Sequence, residues 1–246
     1  VKTADGLSIK LFADGADLTS MLKLYANPKI KGFTTNPTLM RKAGIEDYEA
    51  FARDVLTAIP DRPVSFEVFS DDLDEMAAQA HTIASWGDNV NVKIPVTNTK
   101  GTFTGPIIEK LSGDGIVLNV TAVFTLEQVQ AIADVLDPQT PSIVSVFAGR
   151  IADTGVDPMP IMRASVEILR SRPKSELLWA SPRELLNIFQ ADEAGCHIIT
   201  ATSDILGKLK FVDKDLDEFS LETVKMFYDD AQAAAYSIYA APAAAE

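Results

Sequence analysis

Residues 64–95 read VSFEVFSDDLDEMAAQAHTIASWGDNVNVKIP. The opening VSFEV (64–68) and the closing VNVKIP (90–95) are short runs rich in Val, Ile and Phe, the composition of buried strands. Between them, 72–85 carries a helical pattern. A strand, a helix and a second strand in this space make a βα unit followed by the start of the next.

The same unit recurs in both directions. Upstream lie IKLFAD (9–14) and GFTTN (32–36); downstream lie VLNVTAV (117–123), SIVSVFA (142–148), LLWAS (177–181) and HIITAT (197–202). Helical patterns fill the gaps, among them 126–136, 158–170 and 182–194. Strand ends recur about every 20–35 residues, the length of one βα unit. Eight such units in 246 residues predict an α/β fold, a single (β/α)8 TIM barrel. An open doubly wound sheet is the alternative. It usually carries a Gly-rich nucleotide loop after its first strand, and neither GxGxxG nor GxxxxGK[ST] occurs. No Pro/Ser/Gly-rich linker divides the chain, so the reading is one domain, with NTKGTFTG (98–105) as a loop after the fourth strand. A C-terminal extension of about 211–246 adds a helix, placed at 220–240, on the barrel exterior or on a neighbouring subunit.

Composition narrows the function classes. The formal net charge is −13, which repels polyphosphate and argues against a nucleic-acid partner. Any anionic substrate then needs a local cluster of cations. No run of about 18 apolar residues suggests a membrane span, and the N-terminus lacks a signal-peptide pattern. The Ala-rich tail, 231–245, reads as a fraying helix. The lone Cys196 excludes an internal disulfide and fits a reducing, cytoplasmic setting. It reads as a packing residue, because His197 beside it points to the other side of the strand. The two histidines, His81 and His197, give no metal-ligand spacing, so no metal is expected.

Polar residues interrupt the apolar strands with one parity. Side chains alternate across a strand, and helices cover the outer face of a barrel, so the apolar set points outward and the polar set into the lumen. Ser65 and Glu67, Asn91 and Lys93, Asn119 and Thr121, Ser145 and Phe147, and Trp179 and Ser181 form that inner set, with Leu178, Ala180 and Ala122 in the outer one. Asp14 ends the first strand, Thr34 and Asn36 the second, and Arg150 and Arg183 lie just past the sixth and seventh. Barrel enzymes keep their chemistry at these C-terminal strand ends. Asp17, Asp71 and Asp72 read as helix caps and first-turn acids.

This set suits amine chemistry. A low-dielectric lumen favours the uncharged form of a lysine, and a free amine can attack a ketone to form an iminium ion. The iminium is an electron sink that permits cleavage of the adjacent C–C bond. Asp14 can take the proton from the hydroxyl at that bond. Glu67 and Thr121 can hold a water that shuttles protons. Arg150, Arg183 and Ser181 make a phosphate cradle. No cofactor is required.

The motifs that carry these residues resemble the transaldolases and the related fructose-6-phosphate aldolases. They are Asp14 in LFAD, TTNPT (34–38), VSFEV (64–68), VKIP (92–95), NVTAVFT (119–125), SVFAGRIAD (145–153) and WASPRE (179–184), in family order from Leu11 to about Ser203. The resemblance implies Lys93 as the Schiff-base lysine and Asp14 as the acid/base at the C4 hydroxyl. It implies Asn36, supported by Thr34, at the substrate hydroxyls, and Glu67 with Thr121 around the catalytic water. Asn119 and Ser145 line the pocket, and Arg150, Ser181 and Arg183 bind phosphate. The aldolase branch typically has Gln where this chain has Glu67, and Tyr where it has Phe147; both choices here match the transaldolases. The expected reaction is transfer of a dihydroxyacetone unit between sugar phosphates, as in the pentose phosphate pathway. The alternatives are an aldolase releasing free dihydroxyacetone, an enzyme for a modified ketose such as a sulfonated one, and a sugar-phosphate binder without catalysis. Pro182 departs from the family, which usually has a bulkier side chain there. Relatives range from monomers to decamers, so a homo-oligomer is expected.

Overall fold

The computed structural model describes residues 6–239. The chain divides into two compact units, Val1–Leu209 and Lys210–Glu246. The first is a closed barrel in which eight parallel strands pair in sequence order, with β8 closing on β1. The strands are β1 (Lys10–Asp14), β2 (Ile30–Thr34), β3 (Val64–Glu67), β4 (Val90–Pro95), β5 (Leu118–Val123), β6 (Ser142–Val146), β7 (Ser175–Trp179) and β8 (Ile198–Ala201). The helices between them are α1 (Leu18–Tyr25), α2 (Pro37–Lys42), α3 (Tyr48–Ala58), α4 (Leu73–Ala84), α5 (Gly105–Gly113), α6 (Leu126–Val135), α7 (Ala148–Asp153), α8 (Met159–Leu169) and α9 (Leu186–Glu193). The short α10 (Ser203–Leu206) follows β8.

Local chemistry sets the strand-to-helix turns. Asp17, Asn36, Asp47 and Asp72 each accept a backbone N–H three residues on, satisfying a donor left open at a helix start. Thr125 and Gln128 form a reciprocal capping box at α6. Asp71 does something else. Its carboxylate accepts from the Thr99 N–H at 2.6 Å and the Thr99 hydroxyl at 2.7 Å, tying the loop after β3 to the loop after β4.

The main core lies between strands and helices, where Phe33, Phe66, Val92, Val120, Val146, Trp179 and Ile199 are fully buried. A second, smaller cluster fills the lumen: Phe12, Ile143, Leu178, Ala180 and Ile198, with Phe147 against it. The Phe12 ring lies across β2 at Gly32, where a Cβ would come within 2.5 Å of it. Only glycine lets the ring plug the barrel, in the layered manner of this fold.

Two strands depart from the parity expected of them. In β7 the lumen side is Leu178 and Ala180, while Trp179 faces the outer core. In β5 a register shift between Val120 and Val123 puts Ala122 at φ 60° and turns it toward the lumen cavity. An alternation rule cannot anticipate a left-handed residue inside or just past a strand.

The second unit contains α11 (Leu216–Ala233), capped by Asp215, which accepts from the Asp217 and Glu218 N–H groups. This helix begins and ends earlier than the predicted 220–240. Phe211 stacks on Phe219 with centroids 5.6 Å apart. Residues 1–5, and 240–246 of the Ala-rich tail, lie outside the described residues. Among the described residues no helix is long and apolar enough to cross a membrane.

Candidate active site

A cavity of about 550 Å3 opens at the C-terminal ends of the strands. All twelve residues singled out in the sequence line it: Asp14, Thr34, Asn36, Glu67, Lys93, Asn119, Thr121, Ser145, Phe147, Arg150, Ser181 and Arg183. They come from seven strands or the turns that follow them.

Lys93 projects from the middle of β4 and is 6% exposed. Its Nζ donates to the Thr35 carbonyl at 2.8 Å and lies 3.0 Å from Glu67 Oε2. In the β3–β4 register Glu67 stands directly beside Lys93, and across β4–β5 Lys93 stands beside Asn119. The Glu67 main chain is held from behind by Tyr48. The phenol donates to the Glu67 carbonyl at 2.9 Å and accepts from the Glu67 N–H at 2.7 Å. Tyr48 is itself wedged edge-on against Phe66 and Trp86. Burial pushes its hydroxyl far above the usual phenol range, so it stays protonated.

Asp14 faces the same cavity from the end of β1. Thr34 Oγ1 donates to it at 2.8 Å and sits 2.5 Å from Thr200 Oγ1. Burial raises the Asp14 carboxyl above its ordinary value; Lys93 and the Thr34 hydroxyl pull it down and Glu67 adds to the rise. A carboxyl so placed can carry a proton more readily than one in water, which suits an acid/base. A buried chain of side chains joins β6 through β5 to β3. Ser145 Oγ donates to Asn119 Oδ1 at 2.6 Å, and Asn119 Nδ2 donates to Ser65 Oγ at 3.1 Å. This fixes which edge of Asn119 faces which neighbour.

Asn36 lies two residues past β2, not within it. Its Oδ1 is occupied by the Leu39 N–H at 3.0 Å, which leaves the Nδ2 donor for a ligand. Phe147 caps β6, with its ring tilted on Phe124 at 5.7 Å and the Arg150 guanidinium 5.6 Å from its centroid.

Three cations besides the Lys93–Glu67 pair, namely Lys42, Arg150 and Arg183, reach the cavity, and Asp14 is the other carboxylate lining it. The two arginines differ. Arg183 is paired with Asp153, Nε to Oδ1 at 2.9 Å, an interaction that raises Arg183 and lowers Asp153. Arg150 makes no ion pair among the described residues, and neither does Lys42. Ser181 reaches the cavity through a left-handed turn at φ 56° rather than by strand parity. Gly149 makes that turn possible: a Cβ there would fall 1.5 Å from the Ser181 carbonyl oxygen. The Gly149 N–H instead donates to the Ala180 carbonyl at 3.2 Å.

Sequence reasoning missed Thr200, Lys42 and Tyr48. Thr200 was within reach, since it shares the parity of Ile198 in HIITAT. Lys42 and Tyr48 come from helices, and no strand pattern points to them. Cys196 is buried away from the cavity, and burial pushes its thiol up to about 12, as a packing residue would show.

The sequence matches the family model described as Transaldolase/Fructose-6-phosphate aldolase over residues 11–238. A "Probable transaldolase" of Dehalococcoides mccartyi is 35% identical over 80% of this chain and 88% of that protein. "Probable transaldolase 2" of Listeria monocytogenes is 32% identical over 86% and 94%. A "Probable transaldolase" of Nitrosopumilus maritimus is 33% identical over 82% and 87%. Among solved structures, a 2,3-dimethylmalate lyase superposes with a TM-score of 0.54 at 11% identity, covering 96% of this chain and 86% of that one. That likeness concerns the barrel alone.

Proposed function

The chain belongs to the transaldolase/fructose-6-phosphate aldolase family, and from that premise we propose that it transfers a dihydroxyacetone unit from a ketose phosphate to an aldose phosphate through a Schiff base on Lys93. The observation that carries this reading is the buried Lys93 amine on the cavity floor, 3.0 Å from Glu67 and sharing the cavity with Asp14.

Each step has a group in place. Glu67 is the neighbouring acceptor for a proton from the Lys93 ammonium, freeing the amine. Lys93 Nζ then adds to the ketone carbon, and the carbinolamine expels its oxygen as water after protonation. A water held between Glu67 and Thr121 carries these protons. The iminium draws electrons from the C3–C4 bond as Asp14 removes the C4 hydroxyl proton. The aldehyde half departs and an enamine of three carbons stays on Lys93. An acceptor aldehyde is attacked by that enamine, and Asp14 returns its proton to the new hydroxyl. Hydrolysis then frees the product and the lysine. Asn36 Nδ2 and Asn119 orient hydroxyls, while Arg150, Ser181 and Arg183 hold the anionic end.

Phe147 favours transfer over release. Its ring offers no hydroxyl to place water against the enamine, and it packs on Phe124 beside Arg150. The test is fructose 6-phosphate with and without erythrose 4-phosphate. Transfer predicts turnover that depends on the acceptor; steady release of free dihydroxyacetone without it contradicts the transfer reading in favour of an aldolase. A parallel panel of sulfonated ketoses decides which anion the arginines serve.

A further inference from the structure

A second cavity, of about 370 Å3, opens at the opposite, N-terminal end of the barrel. It lies beneath the lumen plug, so Lys10, Phe12 and Asp14 follow one another along the inner side of β1 from this cavity to the active site.

Three observations meet there. First, Asn91 on β4 is 7% exposed and borders the cavity, yet its side-chain amide has no hydrogen-bond partner among the described residues. Its amide borders the open cavity and is free to bond a ligand there, whereas every other asparagine lining either cavity is bonded within the protein. Second, three lysines ring the cavity with one carboxylate. Lys10 is matched by Glu176 at 2.7 Å, and the Lys174 ammonium rests on the Gln139 carbonyl at 2.5 Å without an acidic partner. Lys31 has no partner among the described residues. The opening is therefore cationic in a protein of net charge −13. Third, the walls are apolar, formed by the Phe12 ring, Ile143 and Val117.

We propose that this cavity binds a small organic acid, a monocarboxylate carrying a flat or branched apolar body. The body fills the space against Phe12 and Ile143, the carboxylate meets Lys31 and Lys174, and the Asn91 amide bonds a polar atom of the ligand. A bare tetrahedral anion would satisfy the lysines and leave the apolar walls empty. The volume lies in the range of small-molecule sites.

The experiment is a 19F NMR titration of the full chain with 4-fluorobenzoate. It compares the wild type, the double variant Lys31→Glu/Lys174→Glu and the active-site variant Arg150→Glu, with thermal melts confirming that each is folded. Because both lysines are exposed, the double variant leaves the core intact. The expected result is saturable binding with Kd of about 1 mM or tighter, the range for a ligand of this size. Affinity should fall at least about fivefold in the double variant and persist in Arg150→Glu. No saturation, or binding that survives the double charge reversal, overturns the site. Binding lost in Arg150→Glu overturns it too, by placing the probe in the active site. Displacement of the probe by equimolar inorganic phosphate overturns the requirement for an apolar body.

Discussion

Replacing Asp14 by Asn separates what this residue does for catalysis from what it costs the fold. The substitution is isosteric, and the Thr34 hydroxyl can still donate to the retained oxygen, as it does at 2.8 Å now. Only the charge and the proton-accepting oxygen are lost. Because burial raises the Asp14 carboxyl above its ordinary 3.8 despite Lys93 and Thr34, the folded state binds a proton that the unfolded state has already released. Stability therefore falls as pH rises from 3.8 through the raised value, and above it the full penalty of a buried carboxylate remains. Each unit of displacement is worth about 1.4 kcal/mol. For a barrel of this size, each 1 kcal/mol moves Tm by about 2–4 °C. Asp14→Asn should then melt higher than wild type at pH 8, with the gain fading toward pH 3.8. Turnover should fall by about 10²–10⁴-fold, the usual loss of a general acid/base. Parallel thermal melts across pH and coupled-assay kinetics read both. A variant that melts lower at pH 8 would rule out a buried-charge penalty at Asp14, and one that keeps turnover within a few-fold of wild type would rule out its acid/base role.

Two further outcomes follow from the anion end. Gly149→Ala pushes a methyl to 1.5 Å from the Ser181 carbonyl, so the two turns must part; a loss of about 1–3 kcal/mol in denaturant melts is expected, with a raised KM. An unchanged melt and KM would mean that this contact does not hold Ser181. Arg150→Ala removes an unpaired cation and should raise KM for fructose 6-phosphate by roughly 10- to 100-fold, the worth of a charged hydrogen bond, while leaving unphosphorylated fructose unaffected. Equal effects on both sugars would assign Arg150 elsewhere.

The barrel was legible because its outward strand faces are continuously apolar and its helices begin at Asp and Thr caps. Observed strand ends fall within a few residues of the expected ones. The candidate site was legible because Lys93, Glu67, Asn119 and Thr121 stand out within such strands. What alternation could not give was the backbone's own departures from it. Ala122 in β5 and Ser181 past β7 adopt left-handed conformations and reach the cavity off the strand alternation, while β7 itself presents Leu178 and Ala180 to the lumen where parity expected Trp179. Nor could it give supports reaching in from helices. Tyr48 fixes Glu67 across 19 residues, and Asp71 binds Thr99 across 28. Asp71 read as a helix cap because its neighbour Asp72 is one. The pairing of Arg183 with Asp153 joins the loop after β7 to the end of α7, and no spacing in the sequence signals it.

The proposed chemistry rests on a covalent bond to one amine, Lys93. Incubation with fructose 6-phosphate and sodium borohydride, followed by intact-mass and peptide-mass measurement, tests it directly. The expected product is a reduced sugar or dihydroxyacetone adduct on Lys93, with none in Lys93→Ala. An unmodified chain, with substrate bound equally well by Lys93→Ala, would contradict it and leave a sugar-phosphate binder in place of an enzyme.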